Sequence, residues 1–188
     1  MAFNAPFGFR PVRYLNGSPY NGAVTHVAAS ATTTAIALGQ PVALATDGGV
    51  VAVSATGQLV YGYAMGFSPN VTNGVMDATV IYQNAKGTTD NGQLAVALAD
   101  GLVCEVQMAD GNVATAADIG GGLDIANSAP NMTFGVARCE VTDPSATARM
   151  FRMVGLSTDA DNDATATFRN VLVVASETFF AATAPGVI

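Results

Sequence analysis

The chain has 188 residues, enough for one ordinary domain or two small ones with a buried core. Only 11% of the residues are charged, against roughly 25% in an average soluble domain, and lysine occurs once, at Lys86. Because a monomer normally covers its surface with charged side chains, this shortage indicates that much of the surface faces other protein. The net charge of −7 argues against a nucleic-acid partner, and no apolar run is long enough to span a membrane.

Residues 1–22 are rich in aromatic residues, proline and glycine and contain no acidic residue. We expect this segment to be an extended arm that lies on a neighbouring molecule, because Tyr, Phe and Arg are enriched in interfaces and proline disfavours helices and central strands. Burial of five aromatic side chains roughly offsets the entropy of ordering the segment, so the arm is expected to be mobile in the free protein. The alternative is a first strand or tail whose aromatic residues cap the domain's own core. The candidate interaction residues are Phe3, Phe7, Phe9, Arg10, Arg13, Tyr14 and Tyr20.

Residues 23–188 are predicted to form a β-rich domain, either as one unit or as two subdomains of about 23–110 and 111–188. Its first half contains short runs of β-branched, aromatic and small apolar residues with a period of two, which predict strands. Asp100-Gly101 is typical of a type I′ hairpin turn, and the residues TDGG at 46–49 predict a similar turn. The middle of the chain is therefore expected to be a series of antiparallel hairpins, and 27–39 an extended strand or loop. The predicted strands lie within 41–45, 50–55, 59–67, 78–83, 94–98 and 102–108.

The same pattern resumes after a turn-rich stretch at 109–131, with apolar runs within 132–142, 148–156 and 168–180. The three glycines at 120–122 lack the spacing of a phosphate-binding loop and predict a turn. The fold class is therefore all-β and built of antiparallel hairpins. Cys104 and Cys139 lie in alternating apolar runs, which favours two buried free thiols over a bridge between them.

Catalytic and metal-binding patterns are weak in this sequence. His26 is the only histidine and lies in an alternating run, where an outward or hydrogen-bonded side chain is expected. Ser157 lacks the second glycine of a nucleophile elbow. The acidic residues Asp159, Asp161 and Asp163 alternate as in a calcium loop, but the glycine and glutamate that such a loop needs are missing. We expect no enzymatic activity, no metal and no cofactor.

Four stretches carry a resemblance to a known family. They are GFRPVRYLNGSPYNG, LGQPVALATDGGVVAVSATGQLVYGYAMGF, LVCEVQMADGNVATAADIGGGLDIA and RMFRMVGLSTDADNDATATFRNVLVVASETFF. In this order they resemble the small structural proteins of tailed bacteriophages that decorate or cement the capsid. The resemblance implies a β-barrel or "β-tulip" core, oligomers that are often trimers, and a place on the outer capsid lattice, where the copies stabilise the shell against genome pressure. A sandwich is the alternative architecture for the core.

The expected function is that of a virion protein, made in the cytoplasm of a bacterial host, that binds the outside of the phage head. Its expected partners are the major capsid protein and further copies of itself, with a trimer favoured. Each copy would bridge neighbouring capsid subunits, and multivalency would make weak contacts effective. The alternatives are another β-rich virion component, such as a tail or head-completion protein, and a carbohydrate-binding or adhesin module, which the absence of tryptophan disfavours.

Overall fold

The protein is described here by a computed structural model, which covers residues 5–28, 30, 35–54, 56–67, 93–109, 113–128, 136–148, 150–158, 162 and 168–180, and the backbone of 70–72, 75–77, 82–84 and 130–131. Within these ranges the regular structure consists of β-strands and one short 3₁₀ helix, which confirms the all-β fold. None of the described helical structure is long and apolar enough to cross a membrane.

The strands are short and follow one another along the whole described chain. The first nine are β1 (Arg10–Tyr14), β2 (Thr25–Ala28), β3 (Ala35–Ala37), β4 (Pro41–Leu44), β5 (Val50–Ala52), β6 (Gly62–Phe67), β7 (Asn70–Thr72), β8 (Val75–Asp77) and β9 (Tyr82–Asn84). The others are β10 (Gln93–Leu98), β11 (Leu102–Met108), β12 (Gly122–Leu123), β13 (Ile125–Asn127), β14 (Pro130–Asn131), β15 (Val136–Ala137), β16 (Glu140–Val141), β17 (Phe151–Leu156) and β18 (Asn170–Ala175), with the 3₁₀ helix at Ala116–Asp118.

The larger sheet has seven strands and is nearly closed into a barrel. Its order is β12-β17-β18-β11-β16-β13, with β1 paired to β11, so the two end strands are consecutive in the chain. Asp124 lies between them and contacts both sides of the gap. Its backbone exchanges hydrogen bonds with Thr142, next to β16, and its carboxylate accepts one from the backbone N–H of Met150, next to β17, at 3.2 Å. These bonds hold the link between the two end strands to the segments next to both of their partner strands.

The smaller sheet has five strands in the order β2-β10-β6-β4-β5. Strands β4 and β5 form the hairpin predicted at 46–49, and Gly48 takes a positive φ of 76° in its turn. The side chain of Asp47 accepts a hydrogen bond from the backbone N–H of Gly49 at 3.0 Å, as is common for aspartate in turns. Strands β14 and β15, β3 and β9, and β7 and β8 form three further two-stranded pairs.

The second predicted hairpin, at Asp100-Gly101, is not formed. Strand β10 pairs with β2 and β6 in the smaller sheet, whereas β11 pairs with β1, β16 and β18 in the larger one. Gly101 has a positive φ of 63° but Asp100 does not, so the turn is not type I′. The turn carries the chain from one sheet to the other. The division into two subdomains stays a prediction, although one core cluster includes residues from both sheets.

Strand β11 shows how the alternating pattern builds this core. Leu102, Cys104, Val106 and Met108 point into the barrel and belong to the large core cluster. Glu105 and Gln107 alternate with them and therefore belong to the outer face, yet they too are buried. Cys104 and Cys139 (the latter on the link between β15 and β16) are free and buried, as the first of the two alternatives predicted.

Candidate interaction surface

The N-terminal segment is part of the domain rather than a separate arm, at least from Phe9 to Tyr14. Strand β1 is antiparallel to β11, with Tyr14 opposite Leu102. Phe9 is only 1% exposed and stacks on Tyr63 of the smaller sheet, with 5.3 Å between ring centroids. This part of the segment follows the alternative in which its aromatic residues complete the domain's own core. The ladder and core contacts offset the entropy of ordering these residues, and the mobility of the segment in the free protein stays a prediction.

Close backbone packing explains the glycine that precedes this strand. Gly8 has a φ of +78°, and a side chain there would meet the backbone oxygen of Gly39 at 2.8 Å. The backbone N–H of Phe9 donates to that same oxygen. Gly8 therefore allows the segment to approach Gly39 closely enough for Phe9 to enter the core.

The remaining predicted residues of the segment are distributed over the surface beside β1. Phe7 is half-buried, and the guanidinium carbon of Arg10 lies 5.2 Å from its ring centroid. Arg10 also forms an ion pair with Glu105. Arg13 is partly buried and forms a β-bridge with Pro19. Phe3 lies outside the described residues.

Tyr14 and Tyr20 lie together where the chain turns back after β1. Their ring centroids are 6.4 Å apart, and the Tyr20 hydroxyl donates to the backbone oxygen of Ala23 at 3.2 Å. Partial burial and the neighbouring Tyr14 raise the pKa of Tyr20 above its usual value near 10. Between the two tyrosines, Leu15 is 54% exposed. Of the described residues in this segment, Leu15 therefore presents the most exposed large apolar side chain.

A second group of exposed apolar residues lies where β18 ends. Phe179 and Phe180 are 46% and 50% exposed. Their rings lie edge to face at 5.6 Å, and each also contacts Tyr61, at 6.2 and 5.7 Å respectively. The backbone N–H of Phe179 donates to Val60 at 3.2 Å, which fixes the pair beside the smaller sheet.

Backbone hydrogen bonds bring the two groups to the same end of the molecule. The N–H of Leu15 donates to Gly101, and the N–H of Ala99 donates to Tyr61. Both groups are thus attached to the turn at 99–101 that links the two sheets. We use the term apolar end surface for the four side chains of Leu15, Tyr61, Phe179 and Phe180.

Phe179 and Phe180 were not among the residues predicted for the interface, although a signal was present. The sequence VVASETFF continues a strand pattern to two adjacent phenylalanines. Successive side chains of an extended chain point to opposite faces, so adjacent aromatic residues cannot both enter one core. Here the chain leaves the sheet after Ala175, and both rings stay at the surface.

The described residues bring together no set of groups typical of a catalytic or metal site. His26 is exposed on β2, and no cluster of three potential metal ligands occurs within the described ranges. Burial raises the pKa of both cysteine thiols, with the nearby Glu140 adding to the effect at Cys139, so they stay protonated at neutral pH. Gly120 lies in a turn as predicted, whereas Gly122, for which a turn was also predicted, begins β12. The aspartates at 159, 161 and 163 lie outside the described residues.

Comparisons of the chain with protein-family models, with curated proteins and with solved structures find no match. The family resemblance therefore rests on the sequence stretches quoted above.

Proposed function

We propose that the protein is a structural component of a tailed-phage virion that binds the major capsid protein on the outside of the head and has no catalytic activity. The observation that carries the proposal is the apolar end surface, which exposes two phenylalanines in a chain that is poor in surface charge. Aromatic side chains of this kind dominate the binding energy of protein interfaces.

The small area of the apolar end surface indicates that several copies must bind the capsid together. Burial of the exposed halves of Phe179 and Phe180, roughly 100 Å² each, contributes about 5 kcal/mol at about 25 cal/mol per Å². Much of this gain is offset by the entropy lost on association, so one such contact is weak. Several copies joined in one oligomer bind a repeating lattice far more tightly than one copy does. A homo-oligomer, with a trimer favoured, fits this requirement.

The mechanical role follows from such binding. A copy that contacts two neighbouring capsid subunits must lose one contact before these subunits can separate. The shell then withstands a greater internal pressure, although no covalent bond is formed. An all-β domain with a nearly closed sheet suits this task, because few strand edges are left for unwanted pairing.

The proposal is tested on particles purified from a phage whose genome encodes the chain. Quantitative mass spectrometry should find hundreds of copies per particle, and a cryo-EM map should place them on the outer face of the head. A dozen copies or fewer, arranged as a ring at the tail or neck, would favour the tail or head-completion alternative. Absence from the particles would exclude a role in the virion.

A further inference from the structure

A buried carboxylate lies on the outer face of the barrel-like sheet. Across four neighbouring strands, Arg10, Glu105, Leu172 and Gly155 occupy paired positions in one row. Outer-face positions normally face solvent, but the side chain of Glu105 is only 3% exposed. The side chain of Arg10 lies beside it and is 58% exposed.

The two oxygens of this carboxylate have different surroundings. Oε2 accepts a hydrogen bond from Nη2 of Arg10. Oε1 is buried, and no donor among the described residues lies within hydrogen-bonding distance of it. A buried acceptor without a donor is unfavourable, and a carboxylate oxygen more so than a neutral one. A ligand that brought a donor to Oε1 would remove this penalty.

An open cleft borders Glu105 and the exposed side chain of Arg10 that covers it. The cleft has a volume of about 370 Å³ and is lined by residues 10–12, Glu105, Ser157, Thr158 and Leu172. Since one water occupies about 30 Å³ in the liquid, the cleft can hold a side chain and not only a solvent molecule. Pro11, Val12 and Leu172 offer apolar contacts, whereas Glu105 and the two hydroxyl-bearing residues are polar.

We propose that this cleft binds the side chain of a lysine from a partner protein. An ammonium group is a compact donor that can serve the single remaining carboxylate oxygen, and its methylene stem packs on apolar walls. A guanidinium prefers two coplanar acceptors, and Oε2 is already bound to Arg10. The net charge of −7 favours a cation as the ligand.

Arg10 can accommodate a second cation. It lies between Glu105 and the ring of Phe7, whose centroid is 5.2 Å from its guanidinium carbon. A shift towards Phe7 keeps it in a favourable position while the ammonium group approaches the carboxylate. The ligand therefore competes with Arg10, and removal of Arg10 should strengthen binding.

The test is a titration of the isolated, ¹⁵N-labelled full chain with n-butylammonium chloride at constant ionic strength, followed by NMR. The amide signals of Arg10, Val12, Glu105, Thr158 and Leu172 should shift along a saturable curve in the millimolar range. The neutral analogue n-butanol should give no such curve. Saturation at other residues, or an equal response to n-butanol, would contradict the proposal.

Three variants test the role of Glu105 and Arg10 in this binding. Glu105→Gln should weaken binding by roughly tenfold or more, whereas Glu177→Gln, the same change of charge outside the cleft, should have little effect. Arg10→Gln should strengthen binding several-fold, and this variant decides the question if Glu105→Gln fails to fold. Three outcomes would overturn the proposal of a lysine site. They are unchanged binding in a folded Glu105→Gln chain, weaker binding in Arg10→Gln, and tighter binding of n-propylguanidinium than of n-butylammonium. The site does not depend on the apolar end surface, so failure here leaves the virion proposal intact.

Discussion

The rings of Phe9 and Phe151 pack in a tilted arrangement with 4.7 Å between their centroids. Phe9 precedes the first strand, and Phe151 begins β17 of the larger sheet. Phe9 also stacks on Tyr63 of the smaller sheet. One aromatic side chain from the N-terminal segment is therefore packed between the two sheets, and the stability of the domain should depend on it.

Replacement of Phe9 with alanine should lower the free energy of unfolding by about 3–5 kcal/mol, because it leaves a large cavity between the sheets. Phe7→Ala is the matched control, since Phe7 is only half-buried and its ring lies beside Arg10. It should cost about 1 kcal/mol. Urea denaturation followed by circular dichroism measures both. Equal losses for the two variants would show that Phe9 does not have the position described.

The bond that follows Arg13 should resist trypsin in the dilute, native protein. Arg13 pairs with Val103 in the sheet, and the next residue, Tyr14, donates its N–H to Ser18 at 2.8 Å. A protease needs an extended, accessible chain, so cleavage must wait for this part of the sheet to open. Mass spectrometry of timed digests measures the rate. Phe9→Ala should speed cleavage at Arg13. Rapid loss of residues 1–13 from the unaltered chain would instead support an arm that is mobile in the free protein.

Period-two patterns located strands well but did not determine their partners. The run at 102–108 coincides with β11, and 41–45 contains β4. The Asp100-Gly101 turn was correctly placed as a chain reversal, yet the strands on its two sides belong to different sheets. Local sequence specifies that the chain turns, whereas the choice of partner depends on packing between segments as distant as 103–107 and 170–174.

The same limit applies to the interaction surface. The aromatic content of residues 1–22 predicted an interface, but aromatic residues are common both in interfaces and in cores. Only the fold shows that Phe9 is buried and that Phe179 is exposed. Glu105 could not be distinguished from an ordinary solvent-facing residue, because its position in LVCEVQM fits an outer face. Its burial and its cleft depend on β1 and on residues 157 and 158, which are remote in the sequence.

The free energy of unfolding should fall as the pH rises above about 9. Burial raises the pKa of Cys104 and Cys139 above the ordinary value of 9.0, so the folded chain keeps both thiol protons while the unfolded chain releases them. Stability is thus complete below the unfolded pKa and decreases above it, by roughly 2 kcal/mol for the two thiols together near pH 9.5. Urea denaturation at neutral pH and near pH 9.5 measures the change.

The double variant Cys104→Ala/Cys139→Ala is the control for this pH dependence, since it should lose most of the decrease. The window stays below the range in which Tyr63 matters, because its buried hydroxyl begins to lower stability only when the unfolded chain ionises, near the ordinary pKa of 10.0. In the unaltered native chain, a thiol reagent should react only as fast as the chain unfolds. Rapid labelling of a native thiol, or a flat pH profile, would contradict the buried state of these residues.

The double variant Phe179→Ser/Phe180→Ser should separate binding from folding. Both side chains are about half exposed, so their loss should change the free energy of unfolding by only about 1 kcal/mol. If the apolar end surface binds the capsid, the affinity for heads assembled without the chain should fall more than about tenfold, as expected for aromatic residues at the centre of an interface. Co-sedimentation with such heads measures binding.

Val113→Ser is the control, because Val113 is also an exposed apolar residue but follows β11 away from the 99–101 turn. Equal binding by the double variant and the unaltered chain would move the capsid contact to another part of the surface.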